Sequence, residues 1–279
     1  LCFMQSHYGD VVLITGASSG IGKALAEGLA EEGLKVYGTS RHVEGKERVV
    51  SENETGGFFK LIRLDVCDDE SAKAAVEYVA KKEGQINILI NNAGFGVAGP
   101  IEETTSKEAI SQLDTNFFGM HRMILNTLPI MRKQNKGLIV NIGSVAGLIS
   151  IPYQAMYCAS KYAVEALSEA LRMEVKDFGI KVTVVEPGDT KTGFPLNRQY
   201  SEDSKESAYK NSQKSVEKMM EDELNGPGPE TVVKVVKRLI KRKNPPVRVT
   251  VGFSYKLIVF LKRLLPARLV VYVVSKLYT

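Results

Sequence analysis

A tyrosine and a lysine stand four residues apart, at Tyr157 and Lys161, in a segment with a helical pattern. Residues at positions i and i+4 share one face of a helix, so we expect the phenol and the ammonium to be neighbours. A nearby ammonium stabilises a phenolate and is therefore expected to lower the tyrosine pKa from about 10 toward neutral pH. A tyrosine with such a pKa can donate and accept the proton that interconverts a carbonyl and an alcohol.

A second chemical feature is a glycine-rich turn between a buried strand and a helix. The apolar run Val11–Ile14 leads into residues 15–22, and a helical pattern covers residues 23–32. Glycines let the backbone approach a phosphate, while the start of a helix offers free N–H groups and the positive end of its dipole. The turn therefore predicts a pyrophosphate site, although its glycine spacing is looser than G-x-G-x-x-G.

The elements that position these residues alternate between strands and helices. Short apolar runs predict seven strands, at residues 11–14, 34–39, 59–64, 86–90, 138–142, 181–185 and 247–251. Helical patterns between the runs require right-handed crossovers and hence an α/β fold with a doubly wound parallel sheet of the Rossmann type. Ligands of such a sheet bind beyond the carboxyl ends of its strands, where the chemical residues fall.

We expect a single domain, because the chain of 279 residues has no linker-like segment at its middle. Residues 10–252 are predicted to form the Rossmann-type domain, which includes a substrate lid at residues 189–225. Residues 253–279 form a basic, apolar C-terminal extension. Residues 1–9 are interpreted as a tag or a disordered N-terminus outside the fold.

With both motifs, the chain resembles the short-chain dehydrogenase/reductase family. Thr15-Gly16-x-x-x-Gly20-x-Gly22 matches the family's cofactor motif, and Tyr157-x-x-x-Lys161 matches its catalytic motif. Further landmarks follow in the family's order over residues 10 to about 195, namely Asn91-Asn92-Ala93-Gly94, Asn116, Ser144 and Pro187-Gly188.

The resemblance implies four catalytic residues. Tyr157 would exchange the proton with the substrate oxygen, and Lys161 would lower the pKa of Tyr157 and hold the nicotinamide ribose. Ser144 would hydrogen-bond the substrate oxygen and stabilise charge there. Asn116 would hold a water that links Lys161 to solvent.

The resemblance also implies the residues that bind the cofactor. They are Gly16, Ser18, Ser19, Gly20, Ile21, Gly22, Ser40, Arg41, Asp65, Val66, Asn92, Ala93, Gly94, Tyr157, Lys161, Pro187, Gly188, Thr190 and Thr192. An NAD-preferring enzyme usually has an acidic residue after the second strand, where this chain has Ser40-Arg41. Because an arginine and a hydroxyl can bind a 2′-phosphate, we expect NADP(H). Thr190 stands where the family usually has an aliphatic residue, which leaves open whether Thr190 or Thr192 meets the carboxamide.

The C-terminal sequence bears on the substrate and on a membrane. From residue 231 to residue 279 there are twelve Lys and Arg and no Asp or Glu, so the chain's net charge of +5 leaves −7 on the rest. Pro266 divides the apolar part into two short amphipathic segments. These could lie on an anionic membrane surface, or pack on the domain itself or on a dimer partner. The tail is similar to that of the 17β-hydroxysteroid and retinol dehydrogenase branch, which implies a bulky hydrophobic alcohol or ketone as substrate.

Other expectations concern the pocket, the partners and the excluded classes. An apolar pocket is predicted from Phe95, Leu148, Ile149, Ile151, Met156, Phe194 and Leu196. Two alternatives stay open, a reductase of acyl-thioesters or polar carbonyls and a non-catalytic cofactor sensor. The basic residues alternate with aliphatic rather than aromatic ones, which argues against nucleic-acid binding, and three cysteines without ligand spacing argue against a metal or disulfide framework. By analogy with the family we expect a homodimer or homotetramer. We also expect a cytoplasmic location, with membrane association through the tail as the alternative.

Overall fold

The computed structural model describes residues 6–193, 198–201 and 207–278. The strands of this part of the chain are β1 (Val11–Ile14), β2 (Lys35–Ser40), β3 (Glu47–Glu52), β4 (Phe58–Arg63), β5 (Ile88–Asn91), β6 (Val97–Ala98), β7 (Gly137–Ile142), β8 (Ile180–Glu186), β9 (Gln199–Tyr200) and β10 (Arg248–Thr250). The α-helices that accompany them are α1 (Gly20–Glu31), α2 (Asp69–Glu83), α3 (Ser106–Leu113), α4 (Gly119–Gln134), α5 (Ala155–Glu174), α6 (Ser212–Asn225), α7 (Glu230–Ile240), α8 (Phe253–Leu264) and α9 (Ala267–Tyr278).

Eight of these strands form one sheet in the order β10-β8-β7-β5-β1-β2-β4-β3. All neighbours are parallel except β3, which runs antiparallel to β4 at the edge. The strand order reverses between β1 and β5, so the crevice beyond their carboxyl ends is the place where a doubly wound sheet binds its ligand. The predicted doubly wound α/β fold is confirmed.

Helices cover both faces of the sheet, which explains why its central strands are apolar throughout. On one face α1 and α7 pack on the sheet through residues such as Leu25, Leu29 and Val236. On the other face α2, α4 and α5 contribute residues such as Val76 and Met123 to a second core. Strands fixed between two cores hold the loops at their carboxyl ends in place.

The seven predicted strands are confirmed within two residues at each end. The sequence analysis missed β3, because five of its six residues are exposed and its sequence contains no apolar run. It also missed β6 and β9, a parallel pair of two residues each beside the predicted pocket. The β3–β4 pair and the β6–β9 pair are both formed by tertiary contacts that leave little pattern in the sequence.

The N-terminal residues 6–9 belong to the folded unit, so for these residues the prediction of a disordered end is wrong. The backbone N–H of His7 donates to the Ile240 carbonyl at 3.0 Å. Tyr8 is buried, and its hydroxyl donates to the Arg242 carbonyl at 2.8 Å. A single aromatic side chain and two hydrogen bonds thus tie the segment before β1 to the end of α7, a contact that no local pattern announces.

The C-terminal segment forms the two amphipathic helices that Pro266 was expected to separate, α8 and α9. Among the helices of the described ranges, none combines the length and the apolar content needed to cross a lipid bilayer.

Candidate active site

The turn between β1 and α1 is open to a cleft at the switch point of the sheet. Gly16 has φ +66°, and a Cβ there would lie 2.9 Å from the Ala93 Cα. A Cβ on Gly22 would lie 2.2 Å from the Gly16 carbonyl oxygen. Ser19 precedes α1 without its side chain capping the helix. The start of α1 therefore presents backbone N–H groups to the cleft, an arrangement that fits the pyrophosphate of a dinucleotide.

Thr15 braces this turn against the loop after β5. Its hydroxyl oxygen accepts from the backbone N–H groups of Asn92 and Ala93 at 2.9 and 3.0 Å. The Asn92 side-chain amide donates to the carbonyls of Thr15 and Gly16, each at 3.0 Å. These bonds hold two strand ends together across the switch point. The sequence analysis did not assign this bracing role to Thr15.

One cavity of about 1000 Å³ joins the glycine turn to the Tyr157 helix. Every residue proposed from the sequence as catalytic or cofactor-binding lines it, except Gly22 and Asn116. Gly22 lies behind the turn, where it must lack a side chain. Asn116 is buried in the wall. The fold thus brings together residues from six loops and from helix α5 that are far apart in the chain.

Tyr157, Lys161 and Ser144 meet at the inner part of this cavity. The Lys161 ammonium donates to the Ile142 carbonyl at 2.9 Å and lies 5.7 Å from the centre of the Tyr157 ring. Tyr157 and Ser144 are joined by a side-chain hydrogen bond. The Ser144 oxygen accepts from the Ala146 N–H at 3.1 Å. Two hydroxyl groups, of a phenol and an alcohol, therefore converge where a substrate oxygen can be held.

The electrostatics of Tyr157 differ from the sequence expectation. Burial raises the pKa of Tyr157 above its usual value of 10, and the hydrogen bond with Ser144 only partly opposes this effect. Burial also lowers the pKa of Lys161 to about 8, while the Glu165 carboxylate acts in the opposite direction. Desolvation is thus the largest influence on the pKa of both groups. The phenol is protonated at neutral pH, which is the form that donates a proton.

Asn116 lies in a widened helical turn between α3 and α4. Its side-chain oxygen accepts from the Phe95 N–H at 3.0 Å, and its amide donates to the Phe95 carbonyl at 3.0 Å and to the Ser160 hydroxyl at 3.1 Å. Wide turns of this kind occur often at functional sites. Asn116 therefore ties the loop after β5 to the catalytic helix. The water that Asn116 was expected to hold, between Lys161 and solvent, stays a prediction.

A buried acidic pair lies behind Lys161. Glu165 follows one turn later on α5, and the nearby Glu186 at the end of β8 accepts from the Thr250 hydroxyl at 2.6 Å. Arg248 lies 3.4 Å from Glu165 and 3.8 Å from Glu186. Burial and then the charge of Glu186 raise the pKa of Glu165 to about 7, and burial also raises the pKa of Glu186. The sequence analysis did not single out either carboxyl.

The order and geometry of these residues agree with a family match. A model of the short chain dehydrogenase family matches residues 10–203, which is more than half of the chain. The chain belongs to the short chain dehydrogenase family.

Curated relatives of this dehydrogenase include proteins with large apolar substrates in their names. It is 43% identical over 248 residues to the 3-ketodihydrosphingosine reductase of Bacteroides thetaiotaomicron, with 87% of this chain and 88% of that protein covered. It is 39% identical over 191 residues to human 17-beta-hydroxysteroid dehydrogenase type 1, with 66% of this chain and 58% of that protein covered. The chain is thus an oxidoreductase with hydroxysteroid dehydrogenase-like relatives.

Solved structures agree with the fold of the dehydrogenase. A short-chain dehydrogenase from Streptomyces avermitilis has a TM-score of 0.78 at 30% identity, with 92% of this chain and 93% of that chain covered. ElxO with NADP bound has a TM-score of 0.72 at 27% identity, with 89% and 99% covered. A more distant structure, at 24% identity, holds NAD. Structural neighbours of the dehydrogenase therefore carry NAD in one case and NADP in another.

The end of the cavity beside β2 contains the guanidinium of Arg41. Arg41 and His42 are exposed and line it just after β2. The Ser40 hydroxyl accepts from the His42 N–H at 3.3 Å. Within the described ranges Arg41 makes no ion pair, so its guanidinium is available to a ligand. Asp65 lines the same end, where its carboxylate accepts from the Cys67 N–H at 3.0 Å.

Thr190 and Thr192, in the loop after β8, have different surroundings. The Thr190 hydroxyl donates to the Gly188 carbonyl at 3.0 Å. Thr192 instead lies over the glycine turn, since a Cβ on Gly20 would be 3.6 Å from the Thr192 Cβ. Both line the cavity of the dehydrogenase, and which one meets the carboxamide stays open.

The substrate end of the cavity is only partly as expected. Phe95, Ile149 and Ile151 line it. Leu148 and Met156 do not line the cavity, which corrects that part of the pocket prediction. Phe194 and Leu196 lie outside the described residues.

Other residues of the wall were missed by the sequence analysis. They are Gln154, Met219, Glu223, Tyr255 and the apolar side chains of α8 and α9. The Arg198 guanidinium bonds Glu223 at 2.6 Å with its side chain fully buried. None of these residues belongs to a motif, and the only signal in the sequence was the amphipathic pattern of the tail.

Two contacts hold the tail helices against the cavity. The Tyr255 ring packs on Gly188, where a Cβ would be 2.2 Å from a ring carbon, and its hydroxyl bonds the Asp189 backbone N–H at 3.0 Å and the Asp189 carboxylate. At the far end, the Lys218 ammonium of α6 donates to the Leu277 carbonyl at 2.7 Å. Helices α8 and α9 therefore form an outer wall of the active site of the dehydrogenase.

Proposed function

We propose that this dehydrogenase is an NADPH-dependent reductase that converts a carbonyl on a bulky hydrophobic molecule into an alcohol. The observation that carries the proposal is the half-buried Tyr157, hydrogen-bonded to Ser144 and beside Lys161, inside a cavity whose outer wall is apolar. A phenol that holds its proton at neutral pH is a general acid, and reduction of a carbonyl needs a proton at the oxygen.

Ser144, Tyr157 and Lys161 each have a separate role in this reaction. The Ser144 and Tyr157 hydroxyls hold the carbonyl oxygen by hydrogen bonds, which stabilise the negative charge that develops there. NADPH, when bound, supplies the hydride to the carbonyl carbon. The Tyr157 proton then passes to the oxygen and completes the alcohol. Lys161, with its pKa lowered to about 8, stabilises the phenolate left on Tyr157.

The preference for NADP(H) rests on the end of β2. The exposed Arg41 guanidinium and the Ser40 hydroxyl lie at the cavity wall where a 2′-phosphate would be held. A carboxylate at this place would repel that phosphate, and the chain has none at residues 40 or 41.

The proposed substrate has a reacting carbonyl near polar groups and a long apolar remainder. Tyr157, Ser144, Gln154 and Glu223 line the inner part of the cavity, and side chains of α8 and α9 line the outer part. This division supports a long-chain keto compound such as the substrate named for the Bacteroides thetaiotaomicron relative. A steroid or retinoid is the second candidate, supported by the human relatives named as hydroxysteroid and retinol dehydrogenases.

The proposal is tested by following NADPH oxidation with a panel of carbonyl compounds. The panel comprises 3-ketodihydrosphingosine, estrone, retinal, an acetoacetyl thioester and a small polar ketone, with NADH in parallel. Turnover confined to the large apolar compounds supports the proposal. Turnover of the thioester or the polar ketone would keep the reaction and overturn the substrate class.

Tyr157→Phe is the variant that tests the chemistry itself. It removes the proton donor while keeping the ring, so turnover should fall at least 100-fold, the lower end for loss of a general acid. NADPH binding, measured by fluorescence of the reduced nicotinamide, should remain. Tyr272→Phe, an exposed tyrosine of α9 that does not line the cavity, is the matched control. A Tyr157→Phe enzyme with most of its rate would remove Tyr157 from the acid role. Wild-type protein that binds NADPH but reduces no compound would instead favour a sensor.

A further inference from the structure

Helices α8 and α9 carry an exposed apolar surface that the described chain does not cover. We call residues 253–278 the tail helices. Their most exposed large side chains include Phe253 at 84%, Val271 at 68% and Leu264 at 65% exposure, with Phe260 and Tyr272 also more than half exposed. Isolated exposed apolar residues are ordinary, but a contiguous set on two successive helices marks an interaction surface.

The charge of the tail helices selects among possible partners. They contain five basic residues, Lys256, Lys262, Arg263, Arg268 and Lys276, and no Asp or Glu. Two copies of this surface would bring ten positive charges together without a compensating carboxylate, which disfavours self-association. An anionic lipid surface complements both properties, because it attracts basic residues and accepts apolar side chains below its headgroups.

The same surface is continuous with the active-site cavity. Ile258, Leu261, Leu265, Val273 and Leu277 are each more than a third exposed, and all five line the cavity that contains Tyr157. An apolar route therefore runs from the outer face of the tail helices to the catalytic residues. A water-insoluble substrate could follow this route without crossing bulk water.

The tail helices are also anchored so that this face points outward. Tyr255 fixes α8 to Asp189, and Lys218 and Ser215 of α6 bond the Leu277 and Tyr278 carbonyls of α9. Val259 is buried against the domain. The polar anchors and the buried side chain take the inner sides of the helices and leave the apolar outer face available.

From these observations we propose that the tail helices dock on an anionic lipid bilayer, and that substrate enters the cavity between them directly from the lipid. The helices lie in the interface of the bilayer and do not span it. The docking part of the proposal does not depend on which carbonyl compound is reduced.

The first test is sedimentation of the full chain with lipid vesicles. Vesicles of phosphatidylcholine alone are compared with vesicles containing phosphatidylglycerol, at low and high salt. We expect binding to the anionic vesicles that weakens with salt. Absence of binding to the anionic vesicles overturns the proposal. So does a dimer that forms through the tail helices in solution and leaves vesicles unbound, detected by sedimentation velocity.

Two variants test the apolar and the basic part of the surface separately. Phe260→Gln with Leu264→Gln should weaken vesicle binding, whereas Val49→Gln with Val50→Gln, on exposed positions of the distant edge strand β3, should not. Lys256→Gln, Arg268→Gln and Lys276→Gln together should weaken it on the order of 100-fold at low salt. Lys107→Gln, Lys133→Gln and Lys176→Gln remove as many exposed charges elsewhere and are the control.

Vesicle binding is compared with the folding and the turnover of each variant. Circular dichroism establishes that each variant is folded, and the salt dependence of the wild-type protein tests the proposal without any variant. Equal losses in the variants and their controls overturn it. Since sedimentation needs no turnover, bound but inactive protein would count against the proposed reaction alone, and active but unbound protein would count against docking alone.

Discussion

The ionisation of Tyr157 depends on its surroundings more than on its sequence neighbour. The i, i+4 spacing correctly places Lys161 beside the ring, at 5.7 Å from its centre. Yet burial affects both groups in opposite directions, raising the pKa of the phenol and lowering that of the ammonium to about 8. Desolvation favours the neutral form of any ionisable group. The pKa of a buried phenol therefore rises, and the pKa of a buried ammonium beside it falls. This is why spacing alone gave the wrong direction for Tyr157.

Arg41 is expected to decide the choice between the two nicotinamide cofactors. Loss of a charge-assisted contact with a phosphate costs about 1.5–3 kcal/mol, so Arg41→Ala should weaken NADPH binding roughly 10- to 150-fold and NADH binding little. Dissociation constants from nicotinamide fluorescence measure both. Arg48→Ala, an exposed arginine on β3, is the control. An equal loss for the two cofactors would contradict the assignment.

The buried Glu165 should make stability depend on pH. Its pKa is about 7 in the folded chain, against an ordinary value of 4.5, so the folded state binds the proton more tightly. The stabilising contribution of the neutral carboxyl is complete below about pH 4.5. It is lost as the pH rises through about 7. Glu165→Gln should therefore raise the melting temperature more at pH 8 than at pH 5, relative to wild type.

Calorimetry at the two pH values measures this difference. Glu174→Gln, an exposed glutamate near the end of the same helix, should show no such dependence. Identical shifts of the Glu165→Gln variant at both pH values would mean that Glu165 does not change its protonation state between pH 5 and pH 8. The pH profile of turnover adds an independent readout. Because Glu165 raises the pKa of Lys161, the Glu165→Gln substitution should lower the pKa of Lys161 further.

At the scale of elements, the wall of the cavity depends on how the tail is fastened. Helix α8 is joined to the loop after β8 mainly through Tyr255, whose hydroxyl bonds both the backbone and the carboxylate of Asp189. Asp189 is half-buried, and burial raises its pKa while the bond with Tyr255 lowers it. One side chain of the C-terminal extension thus stabilises a loop that the sequence analysis assigned to the nicotinamide.

Tyr255→Phe tests this fastening. The ring still packs on Gly188, but two polar groups of Asp189 lose their partner, which should cost about 1–3 kcal/mol of unfolding free energy. Urea denaturation measures the change, and the affinity for an apolar substrate should fall with it. Tyr272→Phe on the exposed side of α9 serves as control, with little expected change. Equal stability of the two variants would show that the Tyr255 hydroxyl contributes nothing.

At the scale of the whole molecule, α4 and α5 present a second surface with exposed apolar side chains. These include Leu125 and Met173, both more than half exposed, and Tyr162. We expect a homo-oligomer formed through these two helices, which also carry or adjoin the catalytic residues. Association would bury these side chains and stiffen the helix that holds Tyr157.

Sedimentation velocity tests the oligomer. Leu125→Asp with Met173→Asp should shift the protein toward a monomer, because a buried carboxylate without a partner disfavours association. Val49→Asp with Val50→Asp on β3 should leave the oligomer intact. A wild-type protein that is monomeric over a wide concentration range would refute the expectation.

The sequence by itself determined the parallel strands of the sheet, the glycine turn and the spacing of Tyr157 and Lys161, whereas Ser144 was predicted through the resemblance to the family. The first three features depend on local patterns, such as apolar runs buried on both faces, glycines that a Cβ would displace, and residues one helical turn apart. Only the tertiary structure decided the pKa of Tyr157, the acidic pair behind Lys161, the packing of Tyr8 and the place of Tyr255 in the wall. Each of these depends on which distant groups exclude water from a side chain, a property that no window of the sequence contains.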